Sequence, residues 1–430
     1  MEQGTSLVEM LPALHIPVKV PFDARASLAY PRHIPLMSRS MGAARRLWHK
    51  LDTPSATLLV VLGLYLAFFL ARLADLGGDV SRFVVAGSRF TSVAEASSNL
   101  YVLRNSSGYD GQFYYRLAID PFTGVVDDYG IRLDAPAYRQ QRILYPLLAH
   151  TAALGRAELV PMAMVAVNLL AAAFLGWLAG LVAQAWGRHA LSGLALALYP
   201  GLILVFDRDL TELTESLFLT ATLLALIRRE SWLATTSLCL AVLAKETALG
   251  MVFAVFAAWI WAALRHSGDG PRWHTWAIPG AVYVGWQAWI WHNWGAIALT
   301  KGVVRSNVQT SLSSAHLPAF ADLLMRELPQ RSLIACELLA LIAFVVLALV
   351  ALQPSRAPLT LKLAFLGYAA LGAVIKHYWG GDWAFLRALS ELWMIGATII
   401  LAWRSRLASY ITPVTLASWC VLALHVILFR

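Results

Sequence analysis

NSSGYDGQFYYRLAIDPF, residues 105–122, sets one carboxylate among aromatic rings in the first long polar connection of an otherwise apolar chain. Asp110 lies between Gly108 and Gly111, and flanking glycines let the backbone bend sharply and leave a carboxylate open to a ligand. A carboxylate near a low-dielectric boundary is readily tuned as a general base. An aspartate that only caps the following helix would give the same pattern, so the residue types alone leave both interpretations open.

Composition places this segment in a membrane protein. Hydrophobic residues make up 59% of the 430-residue chain, charged residues make up 14%, and the mean hydropathy is +0.62. Apolar runs recur over residues 56–428, and most are long enough to cross roughly 30 Å of hydrocarbon as helices, unlike the short alternating strands of a barrel. The sequence therefore predicts an all-α, polytopic transmembrane helical bundle.

Charge and cysteine usage exclude other classes of protein. The formal net charge of +9 comes from Lys and Arg residues in short connections between apolar runs. This distribution is typical of membrane topology and does not require a nucleic-acid partner. The three cysteines lie within apolar runs without metal-ligand spacing, so they predict neither a disulfide framework nor a zinc site. The chain has no Walker motif, which disfavours ATP-driven transport.

Basic residues orient the predicted bundle. Residues 1–54 are predicted to be a disordered, basic, cytoplasmic tail, and residues 55–430 a single membrane domain. The loop at residues 77–142 then faces outward, and its aromatic content predicts packed or interfacial structure. The segment 143–154 reaches only ~18 Å as a helix, so it is predicted to lie along the outer interface or to re-enter. About eleven full spans are predicted, at residues 56–76, 159–185, 190–206, 213–227, 232–243, 248–264, 273–294, 332–352, 359–375, 385–403 and 411–428.

Three further charged stretches gather on the outer face of this topology, at residues 207–215, 245–246 and 376–387. Glu212 and Glu215 lie on one helix face entering an apolar span, where ionisable groups are candidates for function, although acids also complement a helix N-terminus. Lys245 interrupts a long apolar run and is either a solvated turn residue or a phosphate ligand. The indoles at residues 376–387 predict either an interfacial belt or a platform that stacks on sugar rings.

The helix expected after Asp110 has its own pattern. Phe113, Tyr114, Leu117 and Ala118 follow the i, i+1, i+4, i+5 spacing of one helical face. This spacing predicts a helix that lies flat at the membrane surface.

Several strings together resemble one family. YDGQFYYRLA, RILYPLLA, YPG with TESLF, and LAKETAL occur in this order within residues 109–249. They resemble the polytopic glycosyltransferases of the GT-C superfamily, which use lipid-linked sugars. The closest likeness is to bacterial cell-surface glycopolymer proteins and, more distantly, to the GPI mannosyltransferase group. The resemblance spans roughly residues 56–294.

The resemblance implies a reaction and roles for particular residues. Asp110 would be the base that deprotonates an acceptor hydroxyl, with inversion at the sugar carbon and departure of polyprenyl phosphate. Lys245 would lie near the donor phosphate. Asp209, Glu212 and Glu215 look like the acidic second outer loop, which in some members contributes to a metal or substrate site. A single Asp110 stands where the family often carries an acidic pair, so use of a divalent cation is left open.

The expected partners follow from the same resemblance. They are a polyprenyl-phosphate-linked sugar donor, an envelope glycan, lipid or protein acceptor, and membrane lipid, with no nucleic acid. The expected location is the bacterial inner membrane, with the N-terminus in the cytoplasm and the active site on the outer face. Besides catalytic Asp110, the residues expected to bind substrate are Tyr109, Gln112, Arg142, Tyr145, Arg208, Asp209, Glu212, Glu215, Lys245, Glu246, His377, Trp379, Asp382 and Arg387.

Two other classes of function compete with an enzyme. A lipid-linked sugar flippase or secondary transporter would place ionisable residues near the bilayer midplane and would often show two similar halves with broken helices. The sequence shows its charges at one boundary and no repeat, which favours the enzyme. A non-catalytic subunit of a surface-polymer assembly complex would tolerate the loss of Asp110.

Overall fold

Long apolar helices form most of the structure. The computed structural model describes residues 39–298, 332–374 and 383–429. Five helical stretches in these ranges are long and apolar enough to cross a membrane: Pro54–Asp75, Ala157–Ala185, Glu246–Leu264, Leu333–Leu352 and Arg406–Phe429. Three shorter apolar helices accompany them: Ser231–Ala244, Leu359–Ala373 and Ser390–Leu401. The chain is therefore an α-helical membrane bundle, while the expected count of about eleven spans stays a prediction.

The elements follow a simple order along the chain. The strands are β1 (Ala86–Gly87), β2 (Val102–Leu103), β3 (Asp127–Asp128) and β4 (Ile131–Arg132). The helices are α1 (Arg39–Lys50), α2 (Pro54–Asp75), α3 (Gly111–Ile119), α4 (Pro136–Gln140), α5 (Leu144–Ala152), α6 (Val160–Ala185), α7 (Leu194–Ala197), α8 (Gly201–Phe206), α9 (Glu212–Arg228), α10 (Ser231–Ala244), α11 (Leu249–Leu264), α12 (His274–Trp294), α13 (Ser332–Leu352), α14 (Leu359–Val374), α15 (Ala384–Ala388), α16 (Ser390–Leu401) and α17 (Ile411–Phe429).

The end of the predicted tail is helical. The chain divides into two units, Met1–Leu47 and Trp48–Arg430, and α1 carries the sequence RSMGAARRLWHK. Alanine, arginine and leucine favour the helix, and basic residues in the last turn complement its C-terminus. The prediction of disorder is therefore wrong for Arg39–Lys50, and residues 1–38 lie outside the described part of the chain.

The first loop is a packed cap rather than a surface layer. β1 pairs with β2 in parallel, and β3 pairs with β4 in antiparallel register. Thr91 and Ile131 form a bridge between the two halves of the loop. Every residue from Gly111 to Ala118 of α3 is buried. The prediction of a helix lying flat at the membrane surface is therefore wrong, because the loop covers the face of α3 that the pattern assigned to solvent.

Two of the predicted spans are interrupted. Residues 190–206 form a short 3₁₀ helix and then α7 and α8, which are separated at Tyr199 and Pro200. Proline lacks the amide hydrogen and disfavours a helical conformation at the preceding residue, so Pro200 itself explains the break. Residues 384–401 divide into α15 and α16 at Leu389. The two interrupted segments pack together, with the rings of Tyr199 and Trp393 stacked at 4.7 Å.

The segment after the first loop forms a helix too short to cross the hydrocarbon core. α5 has nine residues, which at about 1.5 Å per residue is far less than the thickness of the hydrocarbon core. Its buried residues pack against α3 and α6. α5 therefore holds α3 in place from one side, and α3 presents Asp110 at its N-terminus.

Candidate functional site

Close backbone packing fixes the turn that carries Asp110. Gly108 has a φ of +63°, a conformation that glycine adopts without strain. A Cβ added to Gly111 would lie 2.4 Å from the carbonyl oxygen of Arg208 and 2.6 Å from that of Val84. The glycines therefore serve to seat the turn against neighbouring backbone, and this seating sets the position of Asp110.

We expect Gly111→Ala to destabilise the fold by about 1–3 kcal/mol, because the new methyl group overpacks against two carbonyl groups. Thermal unfolding of the purified protein in detergent measures this effect. Gly63→Ala on α2 is the matched control, since its methyl group would meet no described atom within 4 Å. Equal unfolding temperatures for the two variants would contradict the close packing.

Asp110 does not cap its own helix. It occupies the position before α3, but its side chain makes no capping hydrogen bond. Its Oδ1 lies 3.0 Å from Arg139 Nη1, and its Oδ2 lies 3.0 Å from Arg387 Nη1. The carboxylate keeps 23% of its side-chain surface exposed. The geometry therefore disagrees with a simple cap and gives Asp110 two cationic partners from distant parts of the chain.

These partners keep the Asp110 carboxylate ionised. Burial alone would raise the pKa of Asp110, but the charges of Arg139, Arg387 and Arg142 outweigh it and hold the pKa well below its ordinary value. The partially positive N-terminus of α3 also favours the anion. In this arrangement Asp110 is an anion at any physiological pH.

Arg142 occupies a second ion pair beside the first. Its Nε donates to Glu246 Oε2 at 2.8 Å, and its Nη2 donates to Glu246 Oε1 at 2.5 Å. The same guanidinium donates to the hydroxyls of Tyr114 at 2.9 Å and Tyr138 at 2.5 Å. A bidentate pair of this kind fixes the orientation of both side chains. Arg142 and Glu246, both expected from the sequence, are thus brought together near Asp110.

Lys245 lies in a buried cluster of carboxylates. Its Nζ is 3.0 Å from Glu391 Oε1, 3.4 Å from Glu215 Oε2 and 3.8 Å from Glu212 Oε1. Thr247 Oγ1 hydrogen-bonds to both Glu215 and Glu391. Burial disfavours the ammonium, but the three carboxylates raise the pKa of Lys245 above its ordinary value. Lys245 is therefore a buried, charged counter-ion.

This burial changes the expectation for Lys245. The side chain is only 5% exposed, so the interpretation as a solvated turn residue is wrong. The role of donor phosphate ligand also lacks geometric support, because three carboxylates already surround the ammonium. The cations with access to Asp110 are arginines instead.

Arg387 joins the two groups of charges. Its Nη1 lies 3.0 Å from Asp110 Oδ2 and 3.6 Å from Glu212 Oε1. Its guanidinium also faces the ring of Tyr109 at 5.4 Å, and Arg208 faces the same ring at 4.1 Å. The Tyr109 ring therefore contacts two guanidinium groups, beside the candidate base.

Three other expected substrate ligands have structural roles instead. Gln112 Oε1 accepts hydrogen bonds from the Gly87 amide and from Thr91, and Gln112 Nε2 donates to the Ser107 carbonyl. Tyr145 donates to Asp209 at 3.4 Å and to the Met164 carbonyl at 3.2 Å.

Gln112, Tyr145 and Asp209 are fully buried in this conformation, and their binding of substrate stays a prediction. Burial also raises the pKa of Asp209 well above its ordinary value. His377, Trp379 and Asp382 lie outside the described residues.

A metal site is not evident in the ranges that the structure describes. No group of three or more His, Cys, Asp or Glu side chains there is arranged to hold a metal ion. The three glutamates around Lys245 are instead neutralised in part by its ammonium. Use of a divalent cation stays an open expectation.

Sequence reasoning missed three members of the site. Arg139 lies three residues before Arg142 and pairs with both Asp110 and Asp134, but nothing in its local pattern distinguishes it from a solvated arginine. The loop contains many aromatic residues, so the sequence does not distinguish Tyr138 from the others. Glu391 is an acid inside an apolar helix, and such residues are functional candidates by default, so this signal was readable.

Comparisons with family models, with curated proteins and with solved structures found no match for this chain. The GT-C resemblance of its motifs stays a prediction. The geometry around Asp110 is therefore the main indication of function.

Proposed function

We propose that this protein is a membrane glycosyltransferase that moves a sugar from a polyprenyl-phosphate-linked donor to a cell-envelope acceptor on the outer face of the membrane. The observation that carries the proposal is the half-buried Asp110 carboxylate, which is held between Arg139 and Arg387 and is not used as a helix cap. A reactive carboxylate beside phosphate-binding cations, above a bundle of apolar helices, matches what a lipid-linked sugar donor requires.

Arginines supply the proposed phosphate site. Three arginines surround Asp110. Arg139 lies on α4, Arg142 lies two residues after the end of α4, and Arg387 lies on α15. Arginine binds phosphate through parallel hydrogen bonds and remains charged when partly buried. An anionic donor would compete with Asp110 for Arg139 and Arg387, and with Glu246 for Arg142. Phosphate binding would then release the carboxylate and raise its basicity when the donor is in place.

We propose that transfer occurs by a single displacement at the anomeric carbon. The acceptor hydroxyl oxygen attacks the anomeric carbon of the donor sugar from the side opposite the phosphate. The bond between that carbon and the phosphate oxygen breaks, and its electron pair leaves with polyprenyl phosphate. Asp110 takes the hydroxyl proton, and the arginines stabilise the charge that develops on the leaving phosphate. The anomeric configuration inverts.

The ion pairs of Asp110 predict the pH dependence of the reaction. Its pKa lies below the ordinary value when folded, so the pairs stabilise the fold above about pH 4 and lose this effect as the pH falls further. We expect kcat/KM to show no acidic decline from Asp110 above about pH 4. In Arg387→Gln the carboxylate loses one cation, its pKa rises, and the acidic limb moves to higher pH.

Initial rates across a pH series measure this shift. Arg132→Gln is the matched control, because Arg132 is an exposed arginine of the same loop. An acidic limb at the same pH in Arg387→Gln and in the wild type would contradict the pairing.

A carrier of lipid-linked sugars is the second candidate, and two observations favour it. The interrupted helix pairs α7–α8 and α15–α16 pack together, and discontinuous helices often form transport sites. Glu337 on α13 lines an apolar cavity of about 200 Å³ and accepts hydrogen bonds from Ser418 Oγ at 2.6 and 2.7 Å. An acid within a helix that is long and apolar enough to cross a membrane is a functional candidate.

One experiment separates the two candidates. Purified protein is placed in liposomes with a labelled polyprenyl-phosphate sugar, and both sugar transfer to an acceptor and movement of the donor between leaflets are measured. The glycosyltransferase proposal expects transfer that requires Asp110, with no dependence of donor movement on Glu337. Movement that is lost in Glu337→Gln, without any transfer, would overturn the proposal in favour of the carrier.

A further inference from the structure

A second, separate pocket opens in the first loop. It has a volume of about 480 Å³ and is lined by eight residues of the segment 93–104, with Ser97, Ser98, Tyr101 and Arg104 among them. This volume lies within the range of pockets that take small-molecule or sugar-sized ligands. None of the residues that surround Asp110 lines this pocket, so it is distinct from the candidate active site.

Tyr101 lines this pocket and is held in place by neighbouring residues. The guanidinium of Arg82 lies 3.9 Å from the centroid of the Tyr101 ring. The Tyr101 amide donates to Ser81 Oγ at 2.8 Å, and Ser81 Oγ in turn donates to Asp79 at 2.7 Å. Tyr101 nevertheless stays 40% exposed and lines the pocket. An aromatic side chain that a neighbouring guanidinium holds in place, and that remains partly exposed, can stack on a ligand.

The lining of the pocket matches the chemistry of a saccharide. The electron-rich face of an aromatic ring attracts the polarised C–H groups of a sugar ring. The hydroxyl of Ser98 can both donate and accept hydrogen bonds with sugar hydroxyls. Ser97 Oγ already accepts from the Asn99 amide at 3.3 Å. Arg104 adds one cation, which suits a carboxylate or phosphate substituent on the chain. No acidic residue lines the pocket in the described part of the protein.

The backbone links this pocket to the Asp110 turn. Val102 and Leu103 form β2, which pairs with Ala86 and Gly87 of β1. The Gly87 amide donates to the side chain of Gln112 on α3, two residues after Asp110. Val102 of β2 lines the pocket, and β1, which pairs with β2, contacts the helix that follows the candidate base.

We propose that this pocket binds the saccharide chain of the acceptor, at a distance from the sugar that receives the transferred unit. The inference rests on the proposed function in that it calls the bound saccharide an acceptor. The binding itself does not depend on transfer. A subsite of this kind would bind the internal sugars of a growing glycan. Arg104 would favour chains that carry a carboxylate or phosphate substituent.

Direct binding tests the proposal. Saturation-transfer NMR and calorimetry on the purified full-length protein in detergent would use two probes, a neutral linear hexasaccharide and the corresponding chain of uronic acids. We expect Tyr101→Ala to weaken binding of both probes about tenfold, because it removes the stacking face. Tyr101→Phe keeps the ring and should bind as the wild type does. Arg104→Gln should weaken binding of the uronate chain only.

Tyr129→Ala is the matched control for this experiment. Tyr129 is also exposed in the first loop, and Arg116 faces its ring at 4.9 Å, but it does not line the pocket. Unchanged binding in Tyr129→Ala supports the proposal. Equal losses in Tyr129→Ala and Tyr101→Ala, wild-type binding in Tyr101→Ala, or no binding of either probe to the wild type would each overturn it.

The outcome is separable from that of the proposed function. If saccharide binds at Tyr101 but no sugar is transferred, the pocket stands as a glycan-binding site and the enzyme proposal fails. If sugar is transferred with the same acceptor KM in wild type and Tyr101→Ala, the enzyme proposal stands and the pocket proposal fails.

Discussion

Asp110→Asn is expected to lower kcat for sugar transfer by about 10²- to 10⁴-fold, the usual contribution of a general base. The amide has nearly the same shape as the carboxylate, so Arg139 and Arg387 keep a hydrogen-bonding partner on one side. The amide does not accept the acceptor's proton, so the chemical step slows while donor binding remains. Initial rates at saturating donor, with matched unfolding temperatures, measure the effect.

Asp128→Asn is the control for this variant. Asp128 lies in the same loop, is 46% exposed and pairs only loosely with Arg116, at 3.4 Å. Its replacement should leave kcat unchanged. Retention of more than about a tenth of the wild-type kcat in Asp110→Asn would contradict the role of Asp110 as general base.

Lys245→Met is expected to produce the second large effect, on stability. It would leave Glu212, Glu215 and Glu391 buried without their shared cation. Removing one partner of a buried ion pair costs about 3–5 kcal/mol, so we expect a marked fall in the free energy of unfolding in detergent. The donor KM of any protein that remains folded should change little, because the ammonium lies inside the carboxylate cluster.

A second substitution makes this result specific. Adding Glu391→Gln to Lys245→Met removes one of the stranded charges and should restore part of the lost stability. Lys362→Met is the control, because Lys362 is half-buried on α14 and donates to the Ser355 carbonyl. A higher donor KM with full stability in Lys245→Met would instead support the phosphate-binding role expected from the sequence.

Much of the fold follows directly from the apolar runs. In hydrocarbon the backbone must satisfy its own hydrogen bonds, so a long apolar run such as that of α6 or α13 has few alternatives to a helix. The break before α8 was also readable, because Pro200 lies inside its run. The break at Leu389 has no comparable signal, because no proline or glycine occurs between Trp383 and Gly396.

The sequence predicted less of the candidate site than of the fold. The Gly-flanked turn pointed to Asp110, but Arg387 lies 277 residues further along the chain, and no local pattern pairs two such residues. Lys245 and Glu246 interrupt an apolar run in the way that a solvated turn does. Only tertiary packing shows that both charges turn inward and find separate partners.

The measurement that tests the central claim most directly is transfer of a labelled sugar from a panel of synthetic polyprenyl-phosphate donors by the purified wild-type protein. NMR of the product gives both its yield and its anomeric configuration. The account predicts transfer from at least one donor, with inversion at the sugar carbon. A product of retained configuration, or no product from any donor by a folded protein, would contradict it.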